Sequence, residues 1–337
     1  MATASQQNPV YTVYIIAAGT GVKYDVTPAL VALDRSERKK QIAQSVTIQL
    51  RNVLVEDTWL SGLINVRDRV YVYANDGSRH EEVFRGYVWT RTYKSSSTNW
   101  ELKLKCYDNL IYMQESEESL FFASGKSTKY ICGYICDKWG IKLEYSYESI
   151  THSKQALRGH LSDIFTADIL DLVKTRTGKK YVIQSIEDVM HIKTVGSNST
   201  VYQFLSGKNA IQTTSECTMD DMVTKVVIVG KADDDDRRPV EATVSGETDK
   251  YGTLQKIVNR DENTSLADAK KEAQEIIDES GSPTWEDELT APDIPWIRVG
   301  DMIYVHTGDI KGYRIVTGIS RSIDSKSNKM ILTLERV

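Results

Sequence analysis

The sequence predicts a mainly β protein: two β-barrel domains related by internal duplication, with an α+β insertion between them. Two observations predict the duplication. Ile64-Asn65-Val66-Arg67-Asp68-Arg69-Val70-Tyr71-Val72 returns near the other end as Ile297-Arg298-Val299-Gly300-Asp301-Met302-Ile303-Tyr304-Val305, both reading Ile-x-Val-x-Asp-x-(Val/Ile)-Tyr-Val. Downstream, Arg91 parallels Arg321 and Leu102-Lys103-Leu104 parallels Leu332-Thr333-Leu334, at nearly constant spacing. Short strands share composition, so either match alone carries little. The two in order, far apart in the chain, point to one domain built twice rather than to a solenoid. A third observation, a change from alternating to helical periodicity in the middle, predicts the insertion.

The elements follow in order. Val13-Tyr14-Ile15-Ile16 is a short apolar run. Val46, Ile48 and Leu50 alternate with polar residues, the period of a half-buried strand. Val70 to Tyr73 leads into Asn75-Asp76-Gly77-Ser78, a strong turn signal. Val83 to Trp89, a Ser/Thr/Asn loop over Ser95 to Asn99, and Leu102 to Leu104 complete the first β-domain, 1–108.

The insertion, 109–216, opens with a helix over Thr128 to Trp139 stopped by Gly140. A strand over Ile141 to Tyr145 follows. Ser162 is placed to cap a second helix with the stripe Phe165, Ile169, Leu172 and Val173, ended by Gly178. Tyr181 to Ile183 and Met190 to Ile192 read as a hairpin. The second β-domain, 217–337, resumes with Lys225 to Gly230 and includes a helix over 265–280. Thr264 and Ser265 can cap that helix, and its buried stripe is Leu266, Ala269, Ala273, Ile276 and Ile277.

Composition excludes several classes. At 337 residues, 40% hydrophobic and 26% charged, the chain has room for two or three ordinary globular domains. A net charge of −5 argues against a dedicated nucleic-acid binder. No apolar run reaches the roughly 20 residues of a membrane span. Met1 to Val10 lacks the basic and apolar regions of a signal peptide, so the chain is expected to be made and kept in the cytoplasm or released by lysis. Four cysteines in such a length suit a reducing compartment. Cys132 and Cys136 are four apart and would need His152 and His160 to complete a zinc site. Buried thiols are the simpler expectation.

Catalytic motifs are missing. Gly125-Lys126-Ser127 ends like a phosphate loop, but Leu120 stands where the motif needs glycine. Neither a zinc-protease helix motif, a nucleophile elbow nor a dinucleotide fingerprint is present. Glu286-Asp287-Glu288 could supply a glycosidase pair, but adjacent acids more often mark an exposed strand edge. Asp233 to Asp236 lacks calcium-loop spacing and reads as a solvated tip. The expectation is a protein with no catalytic residues, no metal and no cofactor.

Three further segments carry a resemblance: Met219-Asp220-Asp221-Met222-Val223 running into Val226 to Gly230, Tyr251-Gly252-Thr253-Leu254-Gln255 before the helix, and Ile297-Arg298-Val299-Gly300-Asp301. By their order and spacing the chain resembles the baseplate hub proteins of contractile phage tails and tail-derived bacteriocins. The branch is XkdQ/YqbQ-like, related to late control protein D. The resemblance implies tail-tube-like β-domains and a homotrimer forming a pseudo-sixfold ring. It implies as partners a tail tube or tube-initiator protein, a trimeric central spike and baseplate wedge proteins, with no specific nucleic-acid binding. The family usually has Gly-Asp at the repeated turn, so Arg67-Asp68 implies a different turn in the first copy. Trp89, Trp100, Trp285 and Trp296 are interface candidates, since aromatics often anchor such contacts. Two other readings are a tail-associated cell-wall hydrolase or carbohydrate-binding component, and a secretion-system spike. The spike would normally carry a long β-helical extension, whereas this chain ends at Val337 on its last barrel strand.

Overall fold

The structure, a computed structural model, describes residues 2–3, 8–39, 41–96, 100–146, 149–232, 237–260 and 264–337. The acidic run Asp233 to Asp236, the loop residues Ser97 to Asn99 and most of the N-terminal stretch lie outside these residues. The chain divides into two units, residues 1–214 with 287–337, and residues 215–286.

The larger unit is built on one long sheet. Its first part runs in the order Lys23–Asp25, Val10–Ile16, Arg69–Asn75, His80–Ser95, Trp100–Tyr107, Ser45–Arg51, Leu30–Arg38. Alternation decides which face is buried: Val46, Ile48 and Leu50 point into the core, as do Val70, Val72 and Ala74. Its second part takes Tyr202–Leu205, Met302–Thr307, Ile310–Asp324, Asn328–Arg336 and Thr284–Pro292 in that order. Four strands of each part correspond in order: 69–75, 80–95, 100–107, 45–51 and 302–307, 310–324, 328–336, 284–292. The two parts join edge to edge, where Ala32–Arg38 pairs antiparallel with Gly318–Asp324. Each part thereby covers the edge the other would leave unpaired.

The correspondence has a register that the sequence match gets wrong. Trp89 is skipped in the ladder, because Lys105 pairs with Thr90 but Cys106 with Val88. Thr317 is skipped likewise, because Thr333 pairs with Gly318 but Leu334 with Val316. Each is a β-bulge, one extra residue in the long strand. Aligning the bulges puts Leu104 on Leu332 and Leu102 on Met330, two residues away from the pairing of Leu102 with Leu332 read from the sequence. The motif Leu-x-Leu looks alike at either offset, because a shift of two leaves every side chain on the same face.

The α+β part packs around a separate core that includes Leu120, Phe122, Ile135 and Phe165. Ser127 caps the helix Thr128–Lys138, accepting from the Tyr130 amide at 3.1 Å, and Gly140 (φ 64°) follows its end. The Gly-Lys-Ser of the apparent phosphate loop is therefore a turn and a helix cap. Strand Lys142–Tyr145 lies parallel to Val189–Thr194, which forms a hairpin with Tyr181–Ile186. A second antiparallel pair, Glu117–Phe122 with Gln155–His160, was not expected from the sequence. The second helix also departs from expectation. His160, not Ser162, occupies the N-cap position, and Ile164–Asp171 is wound as a π-helix before Leu172–Thr177 resumes α geometry. Gly178 (φ 70°) ends it, where the left-handed conformation favours glycine.

The smaller unit places strand Lys225–Val229 between Val240–Ser245 and Gln255–Asn259. Helix Leu266–Ser280 covers this sheet with Ala269, Ala273 and Ile277, and Ser265 caps it by accepting from the Asp268 amide at 3.1 Å. Leu266 is exposed and Ile276 only partly buried, so the expected stripe is narrower than its five residues.

Candidate functional site

The most constrained part of the larger unit is the seam between its two β-parts. Leu33, Arg35 and Glu37 share the inward parity of one strand, and Arg321 and Ile323 that of its partner. Charged residues at core-facing positions need partners, since an isolated buried charge is prohibitive. Here they find them across the seam. Arg298 Nε donates to Glu37 at 2.7 Å, Gln44 Nε2 donates to Glu37 at 3.1 Å, and Arg35 donates to Glu37 and to the Pro295 carbonyl, each at 3.3 Å. Arg321 Nε donates to Asp293 at 3.0 Å and Nη2 to the Ile294 carbonyl at 3.2 Å. The Tyr11 hydroxyl donates to the other oxygen of Asp293. Burial alone would raise the Glu37 pKa, but Arg298, Arg35 and Arg321 together hold it down at about 2. Three guanidinium groups against two carboxylates leave Arg35 short of partners. Burial and the neighbouring Arg321 lower it to about 10.

The repeated Asp closes the same turn in both parts. Asp68 accepts from the Asn65 amide at 2.7 Å, and Asp301 from the Arg298 amide at 2.9 Å. Arg67 N donates to Val88 O and Val88 N to Asp68 O, at 2.7 and 2.9 Å. Gly300 N donates to Val316 O and Val316 N to Asp301 O, at 2.8 and 2.9 Å. Arg67 is left-handed at φ 69°, as Gly300 is at φ 93°. The expectation of a different turn at Arg67 is thus corrected: an exposed arginine adopts the glycine-like conformation at some strain. What demands glycine in the second part is Val182, whose Cγ1 would lie 2.5 Å from a Cβ at Gly300.

The four tryptophans fall in different places. Trp296 is half-buried in the seam, packs against both β-cores and donates Nε1 to Asp76 at 2.8 Å. Trp89 is the bulge residue, 39% exposed and edge-on to Tyr107 and Tyr112. Trp100, 45% exposed, meets Trp59 edge-on at 4.7 Å. Trp285, 46% exposed, belongs to the smaller unit. Trp296 thus anchors an internal contact, whereas the other three offer surface.

The remaining sequence candidates resolve into structural roles. Cys132 and Cys136 are buried on one helix face, with Cys136 Sγ 3.5 Å from Met190 Sδ. Burial pushes the Cys136 thiol up to about 12, as for a packed hydrophobe rather than a ligand. Asp287 is not part of an exposed acidic edge. It is fully buried and accepts from Arg314 at 3.0 Å and Arg336 at 3.1 Å, while Glu286 and Glu288 point outward. Among the described residues no cluster of three or more His, Cys, Asp or Glu side chains could hold a metal. Also among them, no helix is long and apolar enough to cross a membrane. Sequence reasoning missed the seam residues Tyr11, Arg35, Glu37 and Asp293. The parity of Leu33, Arg35 and Glu37 in one strand was the available signal.

Comparisons place this architecture. Residues 36–335 match the family described as YQBQ-like. Among solved structures, the 43 kDa tail protein of prophage MuSo2 from Shewanella oneidensis superimposes with a TM-score of 0.71 at 15% identity, covering 97% of this chain and 98% of that one. A tail protein from Neisseria meningitidis MC58 gives 0.70 at 12% identity, with 97% and 96% covered. The E. coli c3393 protein is described as a component of the type VI secretion system with structural similarity to the T4 tail proteins gp27 and gp5. It gives 0.58 at 10% identity, with 96% and 76% covered. No curated protein matches.

Proposed function

The chain belongs to the YQBQ-like family, and from that premise we propose that it is a structural baseplate hub of a contractile tail. Three copies form a ring to which each contributes two tube-like β-domains, 1–108 and 217–337 of the sequence reading. The ring presents six similar faces to a hexameric tube and three-fold symmetry to a central spike. The segment 109–216 faces wedge proteins. The observation that carries this reading is the matched strand order of the two β-parts, each closed by the same Asp turn, within one continuous sheet. A closed ring of like faces follows from such a repeat when three chains associate about one axis. We read the repeat as a duplication. The solved tail proteins support the fold, and the described similarity of the E. coli relative to the T4 tail proteins gp27 and gp5 supports a place in a tail. The protein is made in the bacterial cytoplasm and built into a particle.

The test is the mass and symmetry of the assembled complex. Cryo-EM of tail ends is expected to show three copies whose two β-parts alternate around the axis. A single copy per particle, or six copies around the tube, would sink the proposal.

A further inference from the structure

The seam joins the two β-parts at one place, and the strand order implies a second place of the same kind. Over Gly318–Ile323, strand Ile310–Asp324 has both edges covered, by Asn328–Arg336 on one side and Leu30–Arg38 on the other. Its counterpart His80–Ser95 does not. Beyond the bulge at Trp89, Trp100–Tyr107 covers one edge, and no described strand pairs the other edge of Thr90–Ser95. An open edge is a template for another strand. Exposure shows what is lacking. Counting from the bulges matches Tyr93 with Arg321 and Arg91 with Ile319. Tyr93 lies opposite Leu102, on the core side of the sheet, yet it is 42% exposed. Arg321, with Arg35 paired beside it, is 1% exposed.

The chain carries a strand that fits this edge. Leu30–Arg38 reaches the seam as the outer neighbour of Ser45–Arg51, which corresponds to Thr284–Pro292. Thr284–Pro292 has its own outer neighbour, Gln212–Thr218, whose far edge no described strand pairs. Ile211 N donates to Thr290 O at 2.8 Å. Counted antiparallel from that bond, Gln212 falls opposite Leu289, as Leu33 lies opposite Ile48. Leu289 and Ile48 are themselves matched, because they face Leu332 and Leu104. On this count Thr214 stands where Arg35 does and Glu216 where Glu37 does, and Ser36-Glu37 returns as Ser215-Glu216. Backbone groups alternate between the two edges of a strand, so the amides of Gln212, Thr214 and Glu216 face the open side. The side chains of these three are exposed.

We propose that Gln212–Thr218 of one copy pairs antiparallel with Thr90–Ser95 of the next, repeating between chains the seam that Leu30–Arg38 and Ile310–Asp324 make within one. The register follows from that seam, where Glu37 pairs with Ile319 and Arg35 with Arg321. Glu216 therefore meets Arg91 of the next copy, and Thr214 meets its Tyr93. The first of these is a cross-strand pair of opposite charge, which favours this register over its neighbours. Each chain offers one edge of each kind, so the contact runs head to tail and closes when the rotation does. The proposal rests on the three-copy ring and names the two surfaces that close it.

Cysteine cross-linking tests the pairing. Cys106, Cys132 and Cys136 are buried, which leaves Cys217 as the exposed native thiol. The register puts Thr90 of the next copy opposite Cys217. Thr90→Cys is therefore expected to give disulfide-linked trimers when the full chain is oxidised and run on a non-reducing gel. Adding Cys217→Ser should abolish them. Glu216→Arg is expected to weaken trimer assembly at least about tenfold by light scattering, and Arg91→Glu in the same chain to restore it. Trimers whose two thiols stay free, and which Glu216→Arg leaves intact, would overturn the pairing while sparing the hub assignment. Disulfide-linked chains longer than three would support the pairing and overturn the closed ring. Monomers oxidised within themselves, or no linked species at any concentration, would overturn the pairing.

Discussion

Arg67 and Gly300 stand at the same point of two turns closed by the same hydrogen bonds, yet only one needs to be glycine. Gly300→Ala should lower the unfolding free energy by about 2–3 kcal/mol, from left-handed strain plus the clash with Val182. Adding Val182→Ala should recover part of that loss in a denaturant-melt double-mutant cycle. Arg67→Gly should change stability by no more than about 1 kcal/mol. The Asp side chains also carry pH dependence. Burial raises Asp301 to about 6 and the fully buried Asp108 to about 7. Both pKa values lie above the unfolded carboxylate range, so folding favours the protonated forms. Their contribution is complete below about pH 4 and is lost as pH rises through 6 to 7. Glu37 runs the other way: held near 2, it stabilises above about pH 4.5 and loses that contribution as pH falls toward 2. Unfolding free energy is therefore expected to rise on acidification from pH 8 to about 5 and fall below 4. Asp301→Asn should flatten the slope between pH 5 and 7. An unchanged slope would place the titration elsewhere. The sequence revealed Asp301 through the repeat but gave no sign of Asp108. It could not reveal the surroundings of Asp301, because Glu37 and Lys193, which help set the charge around it, come from distant parts of the chain.

At the scale of elements, the joined strands 30–38 and 310–324 depend on buried charge being paired. Arg321→Met is expected to cost about 3–5 kcal/mol in denaturant melts, because it leaves Asp293 and Glu37 short of a cation in the core. Trp296→Ala should cost a similar amount, from packing lost against both cores. Trp100→Ala, at an exposed site, should cost no more than about 1 kcal/mol in the free chain. A loss as large as that of Trp296 would make Trp100 a core residue. Strands announced by strict alternation, such as Ser45–Arg51, were legible from the sequence. The bulges at Trp89 and Thr317 were not, since an extra residue in a ladder leaves no mark on composition. The antiparallel pair Glu117–Phe122 with Gln155–His160 was hidden because Glu118 shares the inward parity of Leu120 and Phe122 while Phe121 lies outward, which breaks the alternation. The π-helical turn was hidden because Phe165, Ile169 and Val173 fit an α stripe equally well.

At the scale of the whole molecule, the larger unit shares one sheet and a seam to which both β-parts contribute core residues. Ile323 belongs to the first core although it lies on the last long strand but one. Residues 1–214 and 287–337 should therefore lose protection together. In native-state hydrogen exchange the amides of Leu33 and Ile319 are expected to share the slowest class. Clearly faster exchange for all of the first part would show that the seam does not couple the two. The sequence made the two β-parts visible but not the small unit within the second. Strand Lys225–Val229 and helix Leu266–Ser280 were both recognisable. Nothing in their periodicity said that they bury one another, with Val226, Ile228, Ala269, Ala273 and Ile277 forming a core of their own.

The seam has a further consequence, for synthesis. A ribosome finishes strand Leu30–Arg38 long before it reaches Arg298, Arg321 or Ile323. Until those residues emerge, Glu37 has fewer cations, one sheet edge is bare and the first core lacks a side chain. Exposed edges and unfinished cores invite aggregation while a chain is incomplete. The first β-part thus has its edge covered and its core completed only by residues that translation supplies near its end.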